Sequence, residues 1–149
     1  MLTKQQVYDH CISILDKKIE ELNAALSLAT EAVNNETKST VGDKHETARA
    51  MMQLEQEKLG KQLKELLDQR TDLEKTDLSK TNTQISKGSL IESDKGFLFV
   101  SIGLGKITLE NKIVFVISPQ SPLGKLLIGR KEKDVVEMNG TKYLINKLF

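Results

Sequence analysis

The chain has 149 residues, 29% of them charged, 38% hydrophobic and 4% aromatic, with no Trp. That length fits one domain or two small ones. No run approaches the ~20 apolar residues of a membrane-spanning helix, which excludes an integral helical membrane protein, and the hydrophobic content with mixed charge argues against disorder. The start MLTKQQVYDH carries charge where a signal peptide needs an apolar core, and the lone Cys11 cannot form an internal disulfide. Both fit a cytoplasmic, reducing location. The formal net charge of +1 hides a division. Up to Leu78 there are 11 basic against 15 acidic residues, and from Ser79 onward 11 against 6. Both prolines, all four phenylalanines and seven of nine glycines also follow Leu78. We therefore expect two modules, residues 1–78 and 79–149, with different partners.

In the first module Ile12, Leu15, Ile19, Leu22, Leu26, Ala29 and Val33 alternate spacings of three and four, a heptad seam flanked by Lys17, Lys18, Glu20 and Glu21. Thr3 suits the N-cap of this helix. A second seam has Met52, Leu59, Leu66 and Leu73 at intervals of seven, with Leu63 and Leu67 nearby, interrupted by Gly60 at a cost of about 1 kcal/mol relative to Ala. The polar stretch from Asn34 to Gly42 reads as a turn. Two helices of roughly 30 residues, each with one narrow apolar stripe, predict an antiparallel coiled-coil hairpin projecting about 45 Å, with a dimerising coil as the alternative.

The polar segment Asp77–Gln84 marks the expected boundary. Strand-like runs follow at Ser89–Ile91, Phe97–Ile102, Lys112–Ile117, Val135–Met138 and Lys142–Leu148. Asn139-Gly140 predicts a type I′ hairpin between the last two. Ser121 as cap and Pro122 at the first helical position predict a short helix stopping at Gly129. The expected fold class is α+β: the hairpin, then a small, mostly antiparallel sheet with one short helix on a face.

Two carboxylates, Asp43 and Glu46, open the second helix three residues apart, so they share a side. They suit oxygen ligation of Mg²⁺; the same D-x-x-E spacing also makes a capping box. His45 adjoins the pair but splays from it on a helix. His10-Cys11 lacks zinc-ligand spacing, and Cys11 is expected to pack where helices meet the sheet. Gly103-Leu104-Gly105 reads as a turn rather than a dinucleotide fingerprint. Neither a P-loop nor a G-x-S-x-G element is present, so a self-sufficient enzyme is not expected. The basic residues of the second half are dispersed and densest from Lys125 to Lys133, where phosphate, an acidic protein surface or plain solvent would suit them.

The segment Gly42-Asp43-Lys44-His45-Glu46-Thr47-Ala48 resembles the G-D-x-x-E-N-A tip motif of bacterial Gre-type transcript-cleavage factors. The run from Ser118 to Gly129, with Asp134-Val135-Val136 after it, resembles the S-P-x-[SG]-P-[IL]-x-x-x-L-[LI]-G…G-D-x-V signature of their C-terminal domain. The resemblance spans nearly the whole chain in the right order. It implies an FKBP-like second domain and a coiled coil that enters the secondary channel of RNA polymerase. By the motif match Asp43 and Glu46 would help hold a Mg²⁺ shared with the polymerase, none being tightly bound by the factor alone, and the polymerase would then cleave backtracked RNA. Gly42, Lys44, His45 and Thr47 complete the tip; Ser118, Pro119, Ser121, Pro122, Leu123, Gly124, Lys125 and Gly129 fall in the domain expected to dock near the channel entrance. RNA polymerase is the expected partner, nascent RNA an indirect one, DNA contact is left open, and no membrane is involved.

This chain departs from the family pattern at four places: Thr47 for Asn, Arg49 for Glu, Ala50 for an aromatic, and Lys133 for the Gly before Asp134. These departures open a second reading, a channel binder that modulates transcription without cleavage. A third is a prolyl isomerase or chaperone with a coiled-coil arm, its pocket drawn from Phe97, Phe99, Phe115, Tyr143 and Phe149.

Overall fold

The computed structural model describes residues 2–37 and 42–149, with the side chains of 36–45 left aside. Helix α1 spans Lys4–Thr37 and α2 spans Gly42–Glu74. After them come β1 (Leu90–Ser93), β2 (Gly96–Val100), β3 (Gly105–Leu109), β4 (Lys112–Ile117), α3 (Pro122–Leu127), β5 (Val135–Met138) and β6 (Thr141–Leu148). This is the expected α+β order of two long helices, then a mostly antiparallel sheet with one short helix. The chain forms two compact units that divide within the helices: Met1–Ile12 with Thr71–Phe149, and Ser13–Arg70. Composition changes near Leu78, but the packing boundary falls earlier on α2 and also cuts α1.

In the helical unit the two long helices run antiparallel. Gln56 Nε2 donates to Thr30 Oγ1 at 3.0 Å, and Arg70 Nε donates to Asp16 Oδ1 at 2.6 Å. Stepping 14 residues back along α1 thus steps 14 residues forward along α2, as only antiparallel helices in constant register do. Ile19, Leu22, Leu26 and Ala29 are half-buried and Val33 is buried, so the first stripe is the seam. On α2, Met52, Leu59, Leu63 and Leu66 are half-buried, whereas Leu67 is 46% exposed. Only Leu63 of the nearby pair therefore belongs to the seam. The heptad positions lacking an apolar residue are filled by Gln56 and Arg70, each paired with the opposite helix. Polar partners at seam positions fix register at some cost in stability. α1 runs on through Asn34–Thr37, part of the expected turn; residues 38–41 of that turn lie outside the described residues.

Thr3 caps α1 as expected and does so reciprocally. Gln6 N–H donates to Thr3 Oγ1 at 3.2 Å, and Thr3 N–H donates to Gln6 Oε1 at 2.9 Å. This capping box satisfies two backbone donors at once.

The sheet order is β3-β4-β2-β1-β6-β5. All neighbours are antiparallel except β2 and β4, which run parallel from Phe97↔Val114 to Val100↔Ile117. The chain leaves β2, forms β3 at the edge and returns as β4 between them. Five of the six strands fall at or within two residues of their expected positions; β3 is additional. It closes on β4 through Glu110 (φ 51°) and Asn111 (φ 63°), a turn with both central residues left-handed. The predicted Asn139 (φ 51°) and Gly140 (φ 80°) turn has the same form.

One face of the sheet carries Ile91, Leu98, Val100, Val136 and Ile145, packed with Leu123 and Leu127 of α3 and with Ile85. Strand alternation puts Leu90, Phe99, Val114 and Val116 on the other face, all at 0% exposure. That burial requires cover, and the buried apolar residues of the same unit include Leu2, Val7, Cys11 and Leu73 from the start of α1 and the end of α2. Thr76, just past α2, adds a hydroxyl contact of 3.0 Å to the buried Ser101, and Lys87 pairs with Asp72. The ends of the long helices are therefore part of the sheet domain's core.

Candidate functional site

α2 begins at Gly42, so the G-D-x-x-E residues open the second helix of the hairpin. The side chains of Asp43, Lys44 and His45 lie outside the described residues, and the choice between capping box and metal pair falls on them. Glu46 and Thr47 are exposed in the first turns of α2. Arg49, also exposed, follows Glu46 by three residues, which makes the two side-chain neighbours on the helix surface. Among the described residues no group of three His, Cys, Asp or Glu side chains is placed to hold a metal ion.

The second motif builds the start of α3. Ser121 Oγ accepts from Gly124 N–H at 3.0 Å and donates to the Ser118 carbonyl at 2.7 Å. Ser121 N–H is shared between the Ser118 carbonyl and hydroxyl, both at 3.1 Å. Pro122 takes the first helical position, where its missing N–H costs nothing. Gly124 is required by space, because a Cβ there would collide with the Ser118 carbonyl oxygen and lie 2.9 Å from Ser121 Oγ. Leu123 and Leu127 enter the core. Ser118, Ser121, Pro122, Leu123 and Gly124 thus have local structural roles. Gln120, Pro122, Lys125, Leu126, Ile128, Gly129 and Arg130 are the exposed residues of the stretch from Ser118 to Arg130. Gly129 ends the helix at φ 85°, as expected.

Past α3, Lys133 has φ 75°. The other non-glycine residues with positive φ among those described lie in the two tight hairpin turns. The departure from glycine noted at this position is therefore a residue in a conformation that side chains disfavour.

The remaining candidates have structural settings. Cys11 is fully buried, and burial pushes its thiol up to about 12, so it is a packing residue rather than a nucleophile. The aromatic residues are dispersed: Phe99 is buried, Phe115 and Tyr143 pack against the α3 core, and Phe97 and Phe149 lie under the ammonium groups of Lys112 and Lys147. Lys4, beside Leu2, Leu78 and Phe149 in a surface pocket, has its ammonium pushed below the ordinary value by partial burial, with Asp77 pulling the other way.

With this geometry in place, the chain is similar to three solved structures. The crystal structure of GreA factor homolog 1 (Gfh1) of Thermus thermophilus is 18% identical, with 93% of this chain and 94% of that chain covered and a TM-score of 0.36. A structure of the transcription factor Gfh1 is 18% identical over 99% and 95%, with a TM-score of 0.38. The crystal structure of Thermus aquaticus Gfh1 is 20% identical over 99% and 96%, with a TM-score of 0.35. No protein-family model matches the chain, and no curated protein matches it. Likeness at this level transfers no residue roles.

Proposed function

We propose that this chain is a Gre-like accessory factor that inserts its helical hairpin into the secondary channel of RNA polymerase and stimulates cleavage of backtracked RNA. The observation carrying the reading is the coincidence of the G-D-x-x-E motif with the first residues of α2 in an antiparallel pair of helices. A hairpin delivers whatever stands at its turn to the bottom of a narrow channel. Helices of 34 and 33 residues are each about 50 Å long at 1.5 Å per residue.

Asp43 and Glu46 would hold Mg²⁺ as oxygen donors. Two carboxylates are fewer than the ligands Mg²⁺ takes, so the polymerase must supply others, and the factor has no complete catalytic site of its own. When bound, the ion supplies an activated water and offsets charge at the scissile phosphate. The chain's part is to carry the two acids and to keep their helix fixed through the Thr30–Gln56 and Asp16–Arg70 pairs.

Arg49 supports a second reading. As an exposed neighbour of Glu46 it offers that carboxylate an alternative cation, which suits a factor that occupies the channel and modulates transcription without cleavage. One experiment separates the two: adding the protein to stalled, backtracked complexes of its own polymerase. Cleavage that is lost in Asp43→Asn/Glu46→Gln, a change that keeps capping capacity, supports the first reading. Binding without cleavage supports the second, and failure to co-purify with polymerase refutes both.

A further inference from the structure

The surface pocket beside Lys4 is built by three segments of the sheet domain: the one that opens α1, the linker after α2, and the residue that follows β6. Leu2, Leu78 and Phe149 give it apolar walls, and Thr3, Lys4 and Thr81 are in its polar lining. Its volume of about 440 Å³ lies within the roughly 300–1,000 Å³ of small-molecule clefts, which combine apolar walls with a few polar groups.

The walls are held in place. Leu2 is 1% exposed. Phe149 N–H donates to the Leu90 carbonyl at 2.9 Å, and the Lys147 ammonium stands 4.9 Å from the Phe149 ring centroid. Asp77 Oδ1 accepts from the N–H and the hydroxyl of Ser79 at 2.9 and 2.6 Å, a turn that fixes Leu78 between them. A pocket with fixed walls costs little ordering when it fills.

The cation in the lining is under-compensated. Among the described residues the Lys4 ammonium makes one hydrogen bond, to the Lys80 carbonyl at 2.7 Å, although it carries three donors. Asp77 attracts it without forming an ion pair, and that carboxylate is committed to Ser79. Partial burial outweighs Asp77 and holds the ammonium below its ordinary value. An anion seated on the apolar walls supplies the missing charge and uses the spare donors. A cation would be repelled by Lys4, and a neutral apolar molecule would leave those donors unused.

We propose that this pocket binds a small amphipathic carboxylate, with its chain against Leu2, Leu78 and Phe149 and its head on the Lys4 ammonium. The site stands independently of the functional reading above.

The experiment titrates the full chain with octanoate, followed by amide shifts in NMR spectra and by melting temperature. Octanoate should bind with a dissociation constant on the order of 1 mM. It should shift the amides of Lys4, Leu78, Thr81 and Phe149 first and raise the melting temperature as it saturates. Acetate, which has the head alone, and octylamine, which has the chain with the opposite charge, should each bind at least about 5-fold more weakly. Lys4→Gln should weaken octanoate about 3- to 5-fold, whereas Lys4→Arg, which keeps the charge, should stay within about 2-fold of wild type. Lys17→Gln, which removes the same charge from the helical unit, should leave the affinity unchanged. No saturation below about 20 mM, or shifts centred elsewhere, overturns the site. Acetate binding as well as octanoate overturns the role of the apolar walls. The choice of an anion held by Lys4 is overturned if octylamine matches octanoate, if Lys4→Gln keeps wild-type affinity, or if Lys4→Arg or Lys17→Gln loses as much as Lys4→Gln.

Discussion

Replacing Gly124 by Ala tests whether the motif around α3 is first of all a cap. The added Cβ would overlap the Ser118 carbonyl oxygen and crowd Ser118 C at 3.0 Å and Ser121 Oγ at 2.9 Å. Two of these are backbone atoms, which move only with the turn they belong to. That carbonyl also accepts both the N–H and the hydroxyl of Ser121, so a shift loosens the cap. Loss of the cap bond costs about 1 kcal/mol, and forcing a methyl group into filled space about 1–3 kcal/mol. Together they predict a destabilisation of about 2–4 kcal/mol, against about 1 kcal/mol for Ser121→Ala. Urea unfolding followed by far-UV circular dichroism measures both. If Gly124→Ala lies within about 0.5 kcal/mol of wild type, or is milder than Ser121→Ala, the steric argument is wrong.

Other consequences are open to direct measurement. Cys11, buried and with its thiol raised to about 12, should resist a thiol reagent at pH 8 in the folded protein and react at the rate of unfolding; fast labelling of native protein would contradict this. The hydrogen bond from Arg70 and its charge hold the Asp16 carboxyl below its ordinary 3.8. A lowered folded value means that the pair's contribution is present above pH 3.8 and is lost as pH falls through that lower value. NMR titration should show Asp16 moving back toward 3.8 in Arg70→Gln. Gly140 has φ 80° with open space around it, so Gly140→Ala should cost about 1 kcal/mol from backbone strain alone, read as a melting shift of about 2–4 °C.

The parts of this fold legible in the sequence are those written in local pattern. The α1 seam repeats without interruption, and Asn139-Gly140 and Ser121-Pro122 carry their geometry in their own chemistry. What escaped required a partner distant in sequence. Gln56 and Arg70 look like surface residues until Thr30 and Asp16 are seen opposite them. β3 starts at Gly105, inside the Gly103-Leu104-Gly105 stretch read as a turn, and turns through Glu110-Asn111, a pair with no glycine to signal it. The parallel β2–β4 pairing depends on the path of the intervening strand rather than on either strand's residues. At the candidate site the acidic pair is read from spacing alone, and the side chain of Asp43 lies outside the described residues. The positive φ of Lys133 is imposed by Ile145 on another strand, whose carbonyl accepts the Lys133 N–H, so no neighbouring residue announces it.

The division into Met1–Ile12 with Thr71–Phe149, against Ser13–Arg70, makes the hairpin an insertion in a domain whose first and last segments fold together. Residues 79–149 alone would leave Leu90, Phe99, Val114 and Val116 bare, so that fragment should aggregate. Because register is constant along the hairpin, removing one heptad from each helix between the two polar pairs keeps every facing residue matched. The domain would keep its core while the hairpin shortened by about 10 Å. The insertion is thus a ruler graduated in heptads, and its length is variable independently of the domain that carries it.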